Sequence, residues 1–337
     1  MSMVSTPTCA GRIGLHSRAL LIISLVMAAS LEPGCSTSVK QSPRKVMFVN
    51  FDNERARAAF ARFMAASAAI GIEQHRHVQI EFIGVDVMDA IALGKVLETG
   101  LQANPVAIVA PTSPVLMQAL RLTRTTPIVF FSHQDPVDLR LAASLTSRPR
   151  NITGLSLQLG IEPKMLELLR ETAPQARRIG YIYDRGEGLR PSVEEFLESS
   201  ARRHGVQWKL VPVAAIDTFA HDIRGAGPID AWFVSKASVL DEHRLQFVAT
   251  LLATRRPAIF PSELEVAVGG PMAYEAVFDD PNGALARQLD RVLSGVTPGE
   301  IPIERPKRFR FSLDVSSARA AGMVVSAQLL SRADRVR

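Results

Sequence analysis

NPVAIVAPTSPVLMQALRLTRTTPIVFF, residues 104–131, is the stretch of sequence that decides the fold. A short apolar run at 106–110 leads through a Pro-Thr-Ser-Pro turn into a helical segment, and a second apolar run follows at 127–131. Two buried strands joined by a helix form a βαβ unit, and such units build parallel sheets that are covered by helices. This stretch therefore predicts an α/β fold.

The same alternation continues on both sides of this stretch. We predict strands at 45–51, 78–83, 106–110, 127–131 and 152–156, then at 178–183, 207–213, 231–235, 258–261 and 271–275, with a late strand at 309–314. Helical periodicity lies between them, at 54–71, 88–102, 163–171, 191–205, 241–254 and 282–295, the last with Asn282 and Gly295 as caps. Two such series in tandem indicate two doubly wound parallel-sheet lobes, with a junction near 151–154.

Length and composition agree with two lobes. The chain has 337 residues, which is more than one hydrophobic core usually serves. Hydrophobic residues make up 47% and charged residues 21%, as in ordinary globular proteins. The formal net charge is +6, but Lys and Arg are scattered and no nucleic-acid-binding motif accompanies them. We therefore expect no nucleic-acid partner.

The first 35 residues have the pattern of a secretory signal. Arg12 and Arg18 precede an apolar run at 19–31, which is too short to anchor stably in a bilayer. We expect a signal peptide at 1–35 and a tether at 36–43. The mature protein would be exported to the periplasm.

Both cysteines, Cys9 and Cys35, lie in this N-terminal segment, so the rest of the chain has neither a disulfide nor a cysteine-based zinc site. Cys35 follows a small residue, as the lipidated cysteine of a bacterial lipobox does. Glu32 stands where that motif has an aliphatic side chain. A lipid anchor on Cys35 and ordinary cleavage with an incidental Cys35 both remain open.

Polar residues follow several predicted strands, and ligands of open α/β sheets bind at the carboxyl ends of strands. Thr112 and Ser113 follow the strand at 106–110. Hydroxyl and N–H groups at a helix start can bind a carboxylate, but a helix N-cap is the simpler interpretation, which we favour. Ser262, after the strand at 258–261, is open to the same two interpretations.

Two further strand ends carry acidic residues. His133 and Asp135 follow the strand at 127–131, and Asp135 precedes Pro136 as a turn residue does. Asp135 would otherwise accept a ligand ammonium or hydroxyl group, and we interpret His133 as a polar cleft residue. Asp184 opens a Gly-containing turn after the strand at 178–183, which can approach a ligand or serve as a surface turn.

Signatures of catalysis are missing from the sequence. There is no phosphate-binding loop, dinucleotide-binding fingerprint or nucleophile elbow, and the seven histidines are dispersed. We therefore predict no enzyme, no cofactor and no metal site. A periplasmic enzyme that uses His133 and Asp135 is the alternative from another class.

Several strings resemble one family in their order and spacing. PIVF, DPV and NITG within 127–154, with PAIFPSE and GGPMAYE further on, are similar to ABC transporter substrate-binding proteins of the tryptophan/tyrosine type. The resemblance covers residues 44–335 and implies the type I periplasmic-binding fold, in which a multi-strand hinge joins two lobes that close on a small solute. It implies one lobe at 44–153 plus 276–297 and another at 154–275 plus 298–337.

The resemblance also implies site residues. It places Thr112 and Ser113 at a carboxylate-binding helix start and Asp135 in a turn that faces the cleft, and it adds Ser192 at a helix start, Ser235 at a strand end and Tyr274 in the hinge. Asp184 replaces an Asn of the family, and Lys236 stands where an acidic residue is common. An amino-acid ligand would need Asp135 or Asp184 for its ammonium group, whereas an inward Lys236 would favour an anionic ligand.

These features together predict an extracytoplasmic, monomeric solute-binding protein. It would capture an amino acid or a similar small polar solute between its lobes and deliver it to an ABC permease with its ATPase. A ligand-sensing partner of a membrane signalling receptor is the alternative that the sequence leaves open.

Overall fold

The computed structural model describes residues 43–85, 90–132, 150–157, 160–236 and 238–337. The signal segment, the tether up to Ser42, Cys35, His133 and Asp135 lie outside these residues, so the expectations for them stay predictions. In chain order the helices are α1 Glu54–Ala69, α2 Ile72–Arg76, α3 Ala90–Gln102, α4 Ser113–Leu122, α5 Glu162–Thr172, α6 Pro191–His204, α7 Ile216–Gly225, α8 Ser238–Glu242, α9 Arg244–Leu252, α10 Glu263–Ala267, α11 Pro281–Leu293, α12 Val315–Ala320 and α13 Ala327–Arg332.

The first lobe is built on a parallel sheet whose described strands have the order β2-β1-β3-β4-β5. They are β1 Arg44–Phe51, β2 Val78–Val85, β3 Ala107–Ala110, β4 Ile128–Ser132 and β5 Ile152–Ser156. The chain steps from β1 to β2 on one side and then returns to β3 on the other. The carboxyl ends of β1 and β3 therefore form a topological switch point, where a crevice opens in folds of this kind.

Helices cover both faces of this sheet, which is why the central strand β3 is apolar and buried at all four positions. The edge strand β2 has an exposed Gln79 between two buried residues. Successive side chains point to opposite faces. Phe48 of β1 packs in the core that contains Phe63 of α1 and Leu289 of α11, whereas the adjacent Met47 packs in the core that contains Leu97 of α3 and Leu116 of α4.

The second lobe repeats the design with the order β7-β6-β8-β9 among its described strands, all paired in parallel. They are β6 Arg178–Asp184, β7 Gln207–Val213, β8 Ala231–Val234 and β9 Ala258–Ile259. Neighbouring residues again divide between two cores. Phe233 packs with Tyr181 on one face, and Trp232 packs with Ile182 on the other.

A smaller sheet adjoins the second lobe, with β10 Met272–Val277 antiparallel to β11 Arg308–Leu313 and β11 parallel to β12 Arg335–Val336. A bridge between Phe260 and Ala273 connects it to β9. The chain passes between the lobes after β5, after β10 and before β11, and a bridge between Leu155 and Glu304 ties two of these passages together.

The α/β fold with two parallel-sheet lobes is confirmed, and each predicted strand agrees with the observed one to within two residues. The lobe boundaries stay a prediction. β5 continues in the first sheet to Ser156, and Ile301 packs in the core of the first lobe.

Two predicted details of helices are wrong. The segment predicted as one helix at 241–254 is divided between α8 and α9 at His243, whose backbone departs from helical geometry. The N-cap of α11 is Asp280 rather than Asn282, because the Asp280 carboxylate accepts a hydrogen bond from the Gly283 N–H at 2.8 Å. Gly295 follows the end of α11 with a φ of 94°, a conformation that favours glycine at a helix terminus.

Candidate functional site

A cavity of about 380 Å³ lies at the carboxyl ends of β1 and β3, where the strand order predicts a crevice. On the first lobe its polar lining includes Asn50, Asn53 and Thr112, and its apolar lining includes Phe51 and Phe131. The second lobe contributes Lys236 and Asp241 to the same cavity. The cavity therefore lies between the lobes, and both phenylalanine and charged side chains line it.

A smaller cavity of about 80 Å³ continues into the second lobe. Leu157, at the passage between the lobes, and Lys236, at the end of β8, line both cavities, so the two adjoin. The smaller cavity is also lined by Phe233, Ser235 and Arg190. The strand ends of both lobes thus contribute to one continuous cleft.

Thr112 occupies the N-cap position of α4 with an extended backbone, but its side chain makes no capping hydrogen bond. Its hydroxyl oxygen is buried and has no hydrogen-bond partner among the described residues. The Ser113 hydroxyl instead lies 2.6 Å from that of Ser132 at the end of β4. The interpretation of Thr112 and Ser113 as side-chain caps is therefore wrong, and Thr112 is one of the residues that line the cavity.

Asp241 is surrounded by cations. Lys236 Nζ lies 3.1 Å and Arg244 Nη2 lies 2.9 Å from its carboxylate, and Arg55 of the first lobe approaches it to 3.7 Å. Burial by itself raises the pKa of Asp241, but Lys236, Arg55 and Arg244 together hold it below its usual value. Lys236 is thus paired with Asp241 at the cavity, and it shares that carboxylate with Arg244 and Arg55.

A buried ion pair supports the second lobe beneath the cleft. Arg190 Nη2 donates to Glu162 Oε1 at 2.8 Å, and the two side chains are 14% and 12% exposed. The Tyr181 hydroxyl hydrogen-bonds to Arg190 and Ser235, and burial raises the Tyr181 pKa. The tyrosine is therefore a neutral hydrogen-bonding group near neutral pH.

Residues 57–337 match the model of the family described as ABC transporter substrate binding protein. The chain belongs to this family. Its members are extracytoplasmic solute-binding proteins rather than enzymes. Among the residues that the structure describes, no helix is both long enough and apolar enough to cross a membrane.

A relative of this substrate-binding protein is a tyrosine-binding protein from Clostridioides difficile strain R20291, which is 26% identical over 198 residues. The match spans 58% of this chain and 57% of that relative, a little over half of its length.

Two solved structures show the type I periplasmic-binding fold of this substrate-binding protein. An ABC domain from Streptococcus pneumonia in complex with L-Trp has a TM-score of 0.75 at 18% identity, covering 88% of this chain and 100% of that one. A conserved domain protein from Vibrio cholerae has a TM-score of 0.76, also at 18% identity and with the same coverage.

Asp184 lines a small further cavity together with Ser235 and Lys236. Its carboxylate accepts hydrogen bonds from the N–H groups of Gly186 at 2.7 Å and Glu187 at 3.4 Å, so it does form the predicted turn. Burial raises the Asp184 pKa and the Glu187 charge raises it further, whereas hydrogen bonds from the backbone N–H groups of Gly186, Glu187 and Val239 lower it. Backbone donors of the turn and of α8 therefore hold this carboxylate in place at the end of β6.

Three predicted site residues are not in the lining of the two adjoining cavities or of the small one beside Asp184. Ser262 caps α10 through its hydroxyl, which accepts from the Leu264 N–H at 3.3 Å. Ser192 is exposed in the first turn of α6, and Tyr274 stacks on Phe309 with ring centroids 5.8 Å apart. A binding role for these three stays a prediction, as it does for His133 and Asp135 outside the described residues.

Sequence reasoning missed the residues at the carboxyl end of β1. Asn50 is buried, Asn53 caps α1 by accepting from the Ala56 N–H at 2.8 Å, and both line the larger cavity. The signal was present, because Asn-Phe-Asp-Asn at 50–53 spans the end of the first predicted strand. The sequence does not show that β1 and β3 are neighbours, so it does not place these two asparagines at the cleft.

Proposed function

We propose that this substrate-binding protein captures a single amino acid between its lobes and delivers it to an ABC importer. The observation that carries the proposal is the Thr112 hydroxyl, which is buried at the cavity without a partner among the described residues. A buried polar group without a partner is unfavourable, so a ligand that hydrogen-bonds to it gains affinity.

The surroundings of Thr112 suit a carboxylate. Thr112 directly precedes α4, a helix of ten residues whose first N–H groups point out of its N-terminus. The helix dipole adds a partial positive charge at this end, which favours an anion. We assign the α-carboxylate of the ligand to Thr112 and to the backbone N–H groups of Ser113 and Val115.

The size and lining of the cleft suit an amino acid with an apolar side chain. A volume of about 380 Å³ falls at the lower end of the range for small-molecule sites, roughly 300–1,000 Å³. Phe51 and Phe131 offer aromatic contacts to a side chain. L-Tryptophan and L-tyrosine, the ligands named for the relatives, are the first candidates.

Asp135 or Asp184 would accept the ammonium of the ligand, and His133 and Ser235 would add polar contacts.

Export by the segment at 1–35, with a lipid on Cys35, would place the protein beside an importer permease and its ATPase.

Calorimetry with the purified full chain tests the proposal. We expect saturable one-to-one binding of L-tryptophan or L-tyrosine, a rise in melting temperature and recovery of the unaltered amino acid. The corresponding amines, which lack the carboxylate, are the matched control and should not bind. Equal binding of amine and amino acid, or no binding of either, would refute the assignment of the carboxylate to Thr112.

Uptake of the labelled amino acid by cells tests delivery. Loss of high-affinity uptake on deletion of the gene, restored by the intact gene, would support an importer. Unchanged uptake together with tight binding in vitro would refute delivery and favour a sensing role.

A further inference from the structure

Arg55 and Asp241 form a contact between the two lobes. Arg55 lies in the first turn of α1 and Asp241 in α8, 186 positions apart in the chain. Arg55 Nη1 donates to the Asp241 backbone oxygen at 3.3 Å, and Arg55 Nη2 lies 3.7 Å from Asp241 Oδ2. Both residues line the larger cavity, so the contact stands at the wall of the cleft.

The acceptor of this contact is held in place by its own lobe. Lys236 Nζ and Arg244 Nη2 bind the Asp241 carboxylate at 3.1 Å and 2.9 Å, and Arg244 Nε is fixed in turn by Glu265 Oε1 at 2.7 Å. A carboxylate oriented in this way loses little additional freedom when Arg55 arrives.

The donor, by contrast, is free to separate from the acceptor. Arg55 is 54% exposed, whereas Asp241 is 16% exposed. Among the ion pairs of the described residues, Arg55 takes part in the one with Asp241 and in no other. Separation of the lobes would therefore return Arg55 to water while Asp241 keeps Lys236 and Arg244.

We propose that Arg55 and Asp241 form a latch that holds the lobes closed and so raises ligand affinity. The part that concerns affinity rests on the proposed function, whereas the closure itself does not need a ligand. Affinity is proportional to the fraction of molecules in the binding-competent state. An exposed ion pair of this kind is expected to change the closed-to-open ratio by about two- to fivefold.

Small-angle X-ray scattering of the purified full chain without ligand tests closure. Arg55→Ala and Arg55→Glu should increase the radius of gyration, the second more because two carboxylates then face each other. Arg57→Ala is the matched control, since Arg57 lies on the same helix but pairs with Asp52 of its own lobe at 2.6 Å. Asp241 itself is left unchanged, because its removal would also take the carboxylate from Lys236 and one of two carboxylates from Arg244.

Salt gives an independent readout. Between about 0.05 M and 1 M salt the Debye length falls roughly fourfold, which weakens an exposed ion pair. The radius of gyration of the wild type and of Arg57→Ala should therefore increase at high salt, whereas that of Arg55→Ala should not change. Arg55→Lys should restore part of the response. Identical scattering and identical salt response in wild type, Arg57→Ala and Arg55→Ala would overturn the latch.

Calorimetry with L-tryptophan and L-tyrosine then separates the two proposals. If the latch exists, Arg55→Ala raises the dissociation constant by about two- to fivefold, whereas Arg57→Ala leaves it unchanged. If neither amino acid binds the wild type while scattering still shows the Arg55-dependent opening, the proposed ligand class fails and the latch stands. Unchanged affinity in Arg55→Ala would overturn the link between latch and affinity.

Discussion

The hydroxyl oxygens of Ser113 and Ser132 lie 2.6 Å apart, and both side chains are buried. This pair ties the start of α4 to the end of the neighbouring strand β4. Because the Ser113 hydroxyl faces β4, the adjacent Thr112 is the residue at the helix start that faces the cavity. The order of the two hydroxyl residues therefore separates the structural role of Ser113 from the ligand-binding role that we propose for Thr112.

Thr112→Val should separate stability from binding. The substitution keeps the shape of the side chain and removes a buried hydroxyl that has no partner among the described residues, so unfolding in urea should show stability unchanged or slightly higher. Loss of a hydrogen bond to a charged carboxylate should weaken amino-acid binding about tenfold or more. Thr250→Val, on the exposed face of α9, is the matched control. Wild-type affinity in Thr112→Val would contradict the assignment.

Asp135→Asn and Asp184→Asn should identify the residue that accepts the ligand ammonium. Asparagine supports the same turns as aspartate, so both variants should fold. The variant that loses the ammonium contact should bind about tenfold or more weakly in calorimetry, and the other should bind as the wild type does. If both variants bind the amino acid as tightly as the wild type does, neither Asp135 nor Asp184 accepts the ligand ammonium group.

Arg190→Met should destabilise the second lobe by about 3–5 kcal/mol, because it leaves the buried Glu162 carboxylate without its cation. Glu162→Gln/Arg190→Met should recover much of that loss, since the uncompensated charge is then gone. Urea unfolding of the two single variants and the double variant measures the coupling. Strict additivity of the single changes would show that the pair is not coupled.

Asp230→Asn should reduce stability in a manner that depends on pH. The Asp230 carboxylate accepts hydrogen bonds from the N–H groups of Arg178 and Arg177 at 2.8 Å and 2.9 Å, which lower its pKa from 3.8. Its contribution is thus present above pH 3.8 and is lost as pH falls through the lower folded-state pKa. The stability difference between wild type and variant should shrink over that window in urea titrations. Asp222→Asn, also in the second lobe, is the control, and an equal pH response in both variants would contradict the prediction.

Gly154→Ala should destabilise the first lobe by more than about 3 kcal/mol, because a methyl group there would lie 2.1 Å from the Phe130 carbonyl oxygen in the paired strand β4. Gly154 also has a φ of 153°, which other residues rarely adopt. Gly94→Ala in α3 is the opposite case, since no atom lies within 4 Å of the added methyl group. It should stabilise the protein by about 0.5–1 kcal/mol in urea unfolding.

Local pattern allowed the βαβ order to be predicted closely. The strand at 152–156 and the helix start at Pro191 were predicted at their observed positions, because apolar periodicity and Pro or Gly signals depend on near neighbours. The division of 241–254 at His243 was missed. Its apolar residues suit one helix, and the break is not marked by Pro or Gly.

The position of some candidate site residues was predicted from the sequence, whereas their binding roles stay predictions. Thr112, Asp184 and Ser235 line cavities at the strand ends, Ser262 serves as a cap and Tyr274 stacks on Phe309. A hydroxyl at a helix start suits a cap and a ligand equally well by sequence. Only the partners of its oxygen in the folded chain distinguish the two roles.

The sequence by itself determined the class of fold and the order of its strands and helices, because these follow from side-chain periodicity within a few turns of chain. Only the tertiary structure decided that β1 and β3 are neighbours, that Thr112 rather than Ser113 faces the cleft, and that Arg55 meets Asp241. These relationships join residues that are distant in the chain. They depend on sheet order and lobe closure, which are set by the packing of the whole molecule.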